Sequence, residues 1–69
     1  MMKFIPGKKF LNNTRKNTRL FEKNKIYTLQ NIKPNGKYIE YSFMVNNEVK
    51  MVNFQSVQEA DDFLETIIY

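Results

Sequence analysis

Histidine and cysteine are both absent from the 69 residues, so any chemistry must run through carboxylates, lysines and arginines. General-base or nucleophilic work would fall to those side chains. The usual zinc-ligand sets and disulfide bridges are excluded outright. The acids that share a stretch are Glu59, Asp61, Asp62 and Glu65, read here as the solvent side of a helix where nothing shields them. Such a face holds a divalent cation only weakly, because it lacks a loop of converging oxygens. Gly7 and Gly36 stand alone, so no glycine-rich loop cradles a phosphate. These features predict a non-enzymatic protein with no cofactor and no bound metal.

What remains is binding, and the charge distribution directs attention to the first third. Residues 1–25 carry eight Lys or Arg against the single acid Glu22, a net +7. Residues 26–55 are near neutral at +1, and residues 56–69 carry four acids and no base, a net −4. The chain is electrically bipolar. The densest basic segment is NNTRKNTR at 12–19, which holds Arg15, Lys16 and Arg19 and no apolar residue. With Lys8 and Lys9 these are the candidate contacts to phosphates or to an acidic protein surface. Phe10 and Leu11 precede the segment and Leu20 and Phe21 follow it. Apolar anchors on both sides predict a tethered loop between buried ends. If Phe10 and Phe21 were instead exposed, they would serve as stacking rings for a single strand.

One domain is the expectation at this length. A core this small supplies on the order of 3–5 kcal/mol of net stability, so close packing or a second copy must help. The opening residues lack the apolar run of about 7–15 residues that marks a signal peptide. No segment approaches the ~18 apolar residues of a membrane span. A soluble cytoplasmic protein is expected, with no membrane partner.

The elements that position these residues are legible from periodicity and turn chemistry. KKFL at 8–11 is a short strand after Pro6-Gly7, a turn signal. KIYTLQNI at 25–32 is a half-buried strand in which Tyr27 and Leu29 alternate with Thr28 and Gln30. Pro34-Asn35-Gly36 ends it, with Asn-Gly offering the positive φ of a tight hairpin. Strands at 37–45 and 48–54 flank Asn46-Asn47, a two-residue turn. That turn sets Val45 against Glu48, Phe43 against Lys50, Tyr41 against Val52 and Ile39 against Phe54. One face of this hairpin therefore holds Ile39, Tyr41, Phe43, Val52 and Phe54 and is expected to be core. A one-residue slip would invert the assignment. The other face presents Tyr38, Glu40, Ser42, Met44, Val49 and Met51. Ser56 and Glu59 form a capping box for an amphipathic helix over 56–68. Its apolar face is Val57, Ala60, Phe63, Leu64, Ile67 and Ile68.

The order of strand, long loop, three meandering strands and helix resembles SH3-like small barrels, with the loop at 12–19 in the place of the RT loop. The resemblance implies an α+β, mostly β fold: a four- to five-stranded antiparallel SH3-like barrel or meander with one C-terminal amphipathic helix. Arg15, Lys16 and Arg19 replace the acidic run of the usual RT loop, and there is no Trp, so binding of proline-rich ligands is not implied. FQSVQEA at 54–60 is similar to the strand-to-helix junction of AP2-type and integrase N-terminal DNA-binding domains. The outer sheet face here lacks the bases such groove readers use. Heavy use of Lys, Asn and Ile resembles small phage and mobile-element proteins of low-GC bacteria.

Two surfaces follow: the basic pole, and the outer hairpin patch of Tyr38, Met44, Val49 and Met51. Met adapts to varied partners and Tyr suits interfaces. The expected function is that of a small protein-binding module, possible as a phage-type modulator or inhibitor of a host protein. The alternatives are a nucleic-acid-binding protein using the basic third and a homo-oligomeric structural component. For the nucleic-acid alternative, random-sequence DNA or RNA is expected to bind at low salt and to weaken with a log–log slope of about −0.9 per phosphate contacted on duplex DNA. The triple variant Arg15→Ala/Lys16→Ala/Arg19→Ala is expected to abolish that binding in a filter or anisotropy assay. Undetectable low-salt binding by the parent chain would remove the alternative.

Overall fold

The computed structural model describes residues 3–12 and 21–67. Four strands, β1 (Lys9–Leu11), β2 (Ile26–Asn35), β3 (Tyr38–Val45) and β4 (Glu48–Phe54), precede one helix, α1 (Val57–Glu65). The strands form one antiparallel meander in the order β1-β2-β3-β4. No ladder joins β1 to β4 among the described residues, so the sheet is open. No helix among those residues is long and apolar enough to cross a membrane.

The β3–β4 hairpin follows from its turn. Asn46 and Asn47 take φ values of 50° and 65°, the left-handed pair that a two-residue turn requires and that Asn tolerates. Val45 then pairs with Glu48, and the ladder runs outward to Ile39 opposite Phe54 in the expected register. Tyr41, Phe43, Val52 and Phe54 are buried, and Ile39 packs against them.

The β2–β3 hairpin differs from expectation. The sequence places its turn at Asn35-Gly36 and ends the strand at Ile32. In the structure Asn35 pairs with Tyr38, so Gly36 and Lys37 are the loop. Gly36 takes φ 63° while Lys37 stays negative, the pattern of a turn with glycine first. The cause lies upstream. The ladder passes from Leu29 opposite Phe43 to Asn31 opposite Ser42, leaving Gln30 as a bulge. A bulge adds one residue to one strand, so Ile32 rejoins the face of Tyr27 and Leu29 although the spacing has changed from two to three. Pro34 is accepted because this end of β2 extends past β1, where a missing N–H breaks no ladder.

β1 is short, but the pairing continues through the residues before it. The Gly7 N–H donates to the Leu29 carbonyl (2.7 Å) and the Leu29 N–H to the Lys8 carbonyl (2.8 Å). On its other side the Leu11 N–H donates to the Ile67 carbonyl (3.2 Å), so the end of the helical segment covers that edge.

α1 starts at Ser56, whose Oγ accepts from the Glu59 N–H (3.1 Å). The Glu59 carboxylate reaches back to the Gln55 N–H (2.6 Å), one residue before the cap position. The helix is shorter than the expected 56–68: Thr66 and Ile67 close it with bonds to Phe63 and Leu64 carbonyls, and Ile68 lies outside the described residues. Ala60, Leu64 and Ile67 face the sheet and are buried.

The core between sheet and helix is aromatic. Phe21 lies 4.2 Å from Tyr27, 4.8 Å from Phe43 and 5.6 Å from Phe63, centroid to centroid. Phe10 packs edge-on against Phe4 and Phe43. Such ring pairs add about 0.5–1.5 kcal/mol beyond their buried area. Phe21→Ala is therefore expected to cost about 3–5 kcal/mol, comparable to the whole stability of a domain this size. Urea unfolding and near-UV circular dichroism are expected to show the variant largely unfolded at 25 °C, with Phe21→Leu retaining the fold.

Candidate functional site

Of the basic candidates, Arg15, Lys16 and Arg19 lie outside the described residues, as does Leu20. Phe10 and Phe21 are fully buried, so neither ring is available for base stacking. Asn12 is buried as well, and its Nδ2 donates to the Phe21 carbonyl (3.0 Å). The Asn24 N–H donates to the Asn12 carbonyl (3.0 Å), and Asn12 bridges to Lys23 in parallel. Lys8 and Lys9 point to opposite faces of the sheet, because side chains alternate along a strand. Lys9 is exposed beside Thr28 on the outer face, while Lys8 is half-buried.

The outer face can be laid out from the registers. One row crosses all four strands as Lys9, Thr28, Met44 and Val49. Two residues along β3 toward the β2–β3 turn lie Asn31, Ser42 and Met51, and two further along lie Lys33, Glu40 and Asn53. In the other direction Leu11 pairs with Ile26. Ile26 (46%), Val49 (54%) and Met51 (62%) are exposed, and Met44 is half-buried between them. These residues make an apolar strip inclined across the sheet.

Two parts of the expected patch change. Tyr38, 46% exposed, stands four residues along β3 from Ser42, the partner of Met51. At about 3.4 Å per residue that is roughly 14 Å, with the Glu40–Asn53 row between. It is therefore not contiguous with Met44, Val49 and Met51. Ile26 joins the strip in its place. Its parity opposite Tyr27 and Leu29 is visible in the sequence, but its place beside Met44 depends on the β2–β3 register, which the bulge at Gln30 shifts.

Glu40 occupies the middle of the outer face and is nearly covered. Its carboxylate lies 3.3 Å from the Lys33 ammonium, whose side chain is more than half exposed. At the Asn46-Asn47 end a groove of about 330 Å³ is lined by Glu22, Lys25, Tyr27 and Lys50 among others. Glu22 and Lys25 are ion-paired, and the pairing lowers the Glu22 carboxyl pKa and raises that of the Lys25 ammonium. Lys50 points inward from the edge strand, its Nζ 5.9 Å from the centre of the Tyr27 ring. The charges in this groove compensate one another.

The acid cluster is not wholly solvent-facing. Asp61 is only 7% exposed. It stands four residues after Val57 and three before Leu64, at the border of the apolar arc. The N-terminal segment closes over it: Oδ2 accepts from the Lys3 N–H (3.2 Å), and the Lys3 ammonium pairs with Glu65. Asp61 Oδ1 and the Tyr41 hydroxyl are buried without hydrogen-bond partners among the described residues. Burial first, and the Asp61 charge second, push the Tyr41 phenol above its ordinary value of 10.0. Among the described residues, no group of three or more acids converges on a metal position.

No family model, curated protein or solved structure matches the chain.

The Tyr41 phenol gives a pH prediction. The unfolded chain ionises this group near pH 10 and the folded chain at higher pH, so the unfolded state binds fewer protons between the two values. Stability then falls as pH rises above about 10. Tyr41→Phe is expected to flatten that alkaline loss, read as urea midpoints between pH 9 and pH 11. Equal slopes for parent and variant would contradict it.

Proposed function

We propose that this chain is a non-enzymatic protein-binding module and that the outer face of its sheet is the binding surface. The observation that supports this reading is the inclined strip of Ile26, Met44, Val49 and Met51. It is large-residue apolar surface, continuous by register, on the side of the sheet away from α1. Scattered apolar residues are normal on a surface, whereas a contiguous group marks an interaction site. The mobile thioethers of two methionines suit a surface that adapts to its partner. The basic pole, with Lys9 on this face and Arg15, Lys16 and Arg19 in the same third of the sequence, steers an acidic protein toward it. In this reading the module descends from an SH3-like layout and acts in the cytoplasm as a phage-type modulator or inhibitor of a host protein.

The nucleic-acid alternative draws less support. Phe10 and Phe21 are buried, and Lys8 and Lys9 diverge, so described residues offer neither stacking rings nor a basic track. Val49→Asp and Met51→Asp test the proposal. Both sites are exposed, so the melting temperature is expected to stay within a few degrees of the parent. Partner binding, measured by titration calorimetry or pull-down of a defined complex, is expected to weaken about tenfold or more. Unfolding of either variant would show that the strip is core, and unchanged binding would move the site elsewhere.

A further inference from the structure

Resting on the reading that the outer sheet face is the binding surface, we infer that its partner is an acidic amphipathic helix from another protein, laid along the strip from Ile26 to Met51. Three features of the face lead there.

The first is backbone chemistry. The strip lies on the open face, not at an edge, and a partner backbone crossing it finds no ladder to join. A buried peptide group must still be hydrogen-bonded. An extended segment would leave its own N–H and C=O groups unpaired against methionine and isoleucine, whereas a helix satisfies them internally. The free edge of the sheet is also a poor site for an added strand. Lys50 turns inward from β4, and inward charges are one of the devices that blunt an edge.

The second is dimension. Ile26, Met44 and Met51 each step one strand across and two residues along. With strands about 4.8 Å apart and a rise of about 3.4 Å per residue, each step is roughly 8 Å and the strip about 17 Å long. A helix rises 1.5 Å per residue, so about 11 residues span it, with apolar anchors at i, i+4, i+7 and i+11.

The third is charge. Lys9 and Lys33 both lie on the same flank of the strip, the side toward the β2–β3 turn. Glu40, the carboxylate within that face, is nearly covered and already paired with Lys33. Among the described residues of that flank Lys9 is therefore the cation left uncompensated, and carboxylates on one flank of the incoming helix complement it. A second copy of this chain does not supply that combination. The solvent side of α1 offers Glu59, Asp62 and Glu65 but no large exposed apolar residue, and two outer faces brought together add lysine to lysine.

A displayed library of random peptides about 16 residues long, selected against the folded chain, tests the inference. The expected binders carry apolar residues at helical spacing with Asp or Glu on one flank, and gain helical circular dichroism on binding. They are expected to lose about tenfold or more in affinity against Met51→Asp. Lys9→Glu is expected to weaken them about tenfold and to flatten the salt dependence. Binders that need Met51 but are basic, uncharged or spaced as strands overturn the acidic helix and leave the face standing. Binders indifferent to Met51→Asp overturn the face itself, and a selection that yields none overturns both. A mass in light scattering that doubles with concentration in the parent but not in Met51→Asp would assign the strip to a second copy instead.

Discussion

Asn12 and Phe21 stand nine residues apart in the sequence, and contacts at those two positions hold the molecule together. Asn12 is a fully buried amide whose donor is spent on the Phe21 carbonyl. The Phe21 ring meets Tyr27 from β2, Phe43 from β3 and Phe63 from α1. One residue thus joins both layers of the fold. With no cysteine to form a disulfide, that contact does what a cross-link does in other domains of this size.

The same economy of core explains why one sheet face stays open. Among the described residues there is a single helix of nine residues, and it covers one side. The N-terminal segment is also committed to that side, with Phe4 in the core against Phe10. Each edge of the sheet is dealt with separately: the end of the α1 segment bonds to Leu11, and Lys50 turns in from β4. Among the described residues none plays that part on the outer face, yet its exposed positions include Ile26, Val49 and Met51. A face left bare for want of material would be expected to carry polar residues at those sites. The apolar strip is therefore what calls for a functional explanation, more than the openness of the sheet.

Local chemistry made part of this readable. The Asn46-Asn47 turn sets its own register, and every β3–β4 pair follows from it. The helix start follows from Ser56 and Glu59, although the glutamate bonds one residue earlier than the simplest capping box. The rest depends on contacts distant in sequence. The Gln30 bulge shifts parity within β2, and nothing in the residues around it announces that shift. It moved the hairpin turn to Gly36-Lys37 and kept Ile32 inside. The same bulge sets the β2–β3 register at the start of β2, so the place of Ile26 beside Met44 is not legible from the turn alone. Asp61 sat at the border of an apolar arc, and its burial depended on the N-terminal segment at Lys3. Arg15, Lys16 and Arg19, the candidate phosphate or partner contacts, lie outside the described residues.

The bipolar charge distribution has an internal use as well as an external one. Lys3, from the basic pole, docks on the acidic helix through its ammonium to Glu65 and its backbone N–H to Asp61. Glu22, the one acid of the first third, pairs with Lys25 beside it. Exposed pairs of this kind contribute little each, but they set which surfaces retain uncompensated charge. The helix surrenders part of its acidity to the N-terminus. On the outer face Lys33 is shared with Glu40, while Lys9 lies beside the apolar strip in a row with Thr28, Met44 and Val49, which carry no charge. A net charge of +4 says only that partners of opposite sign are favoured. The placement of Lys9 one strand from Ile26, with Thr28 between it and Met44, brings that preference to the surface where apolar contact is also available.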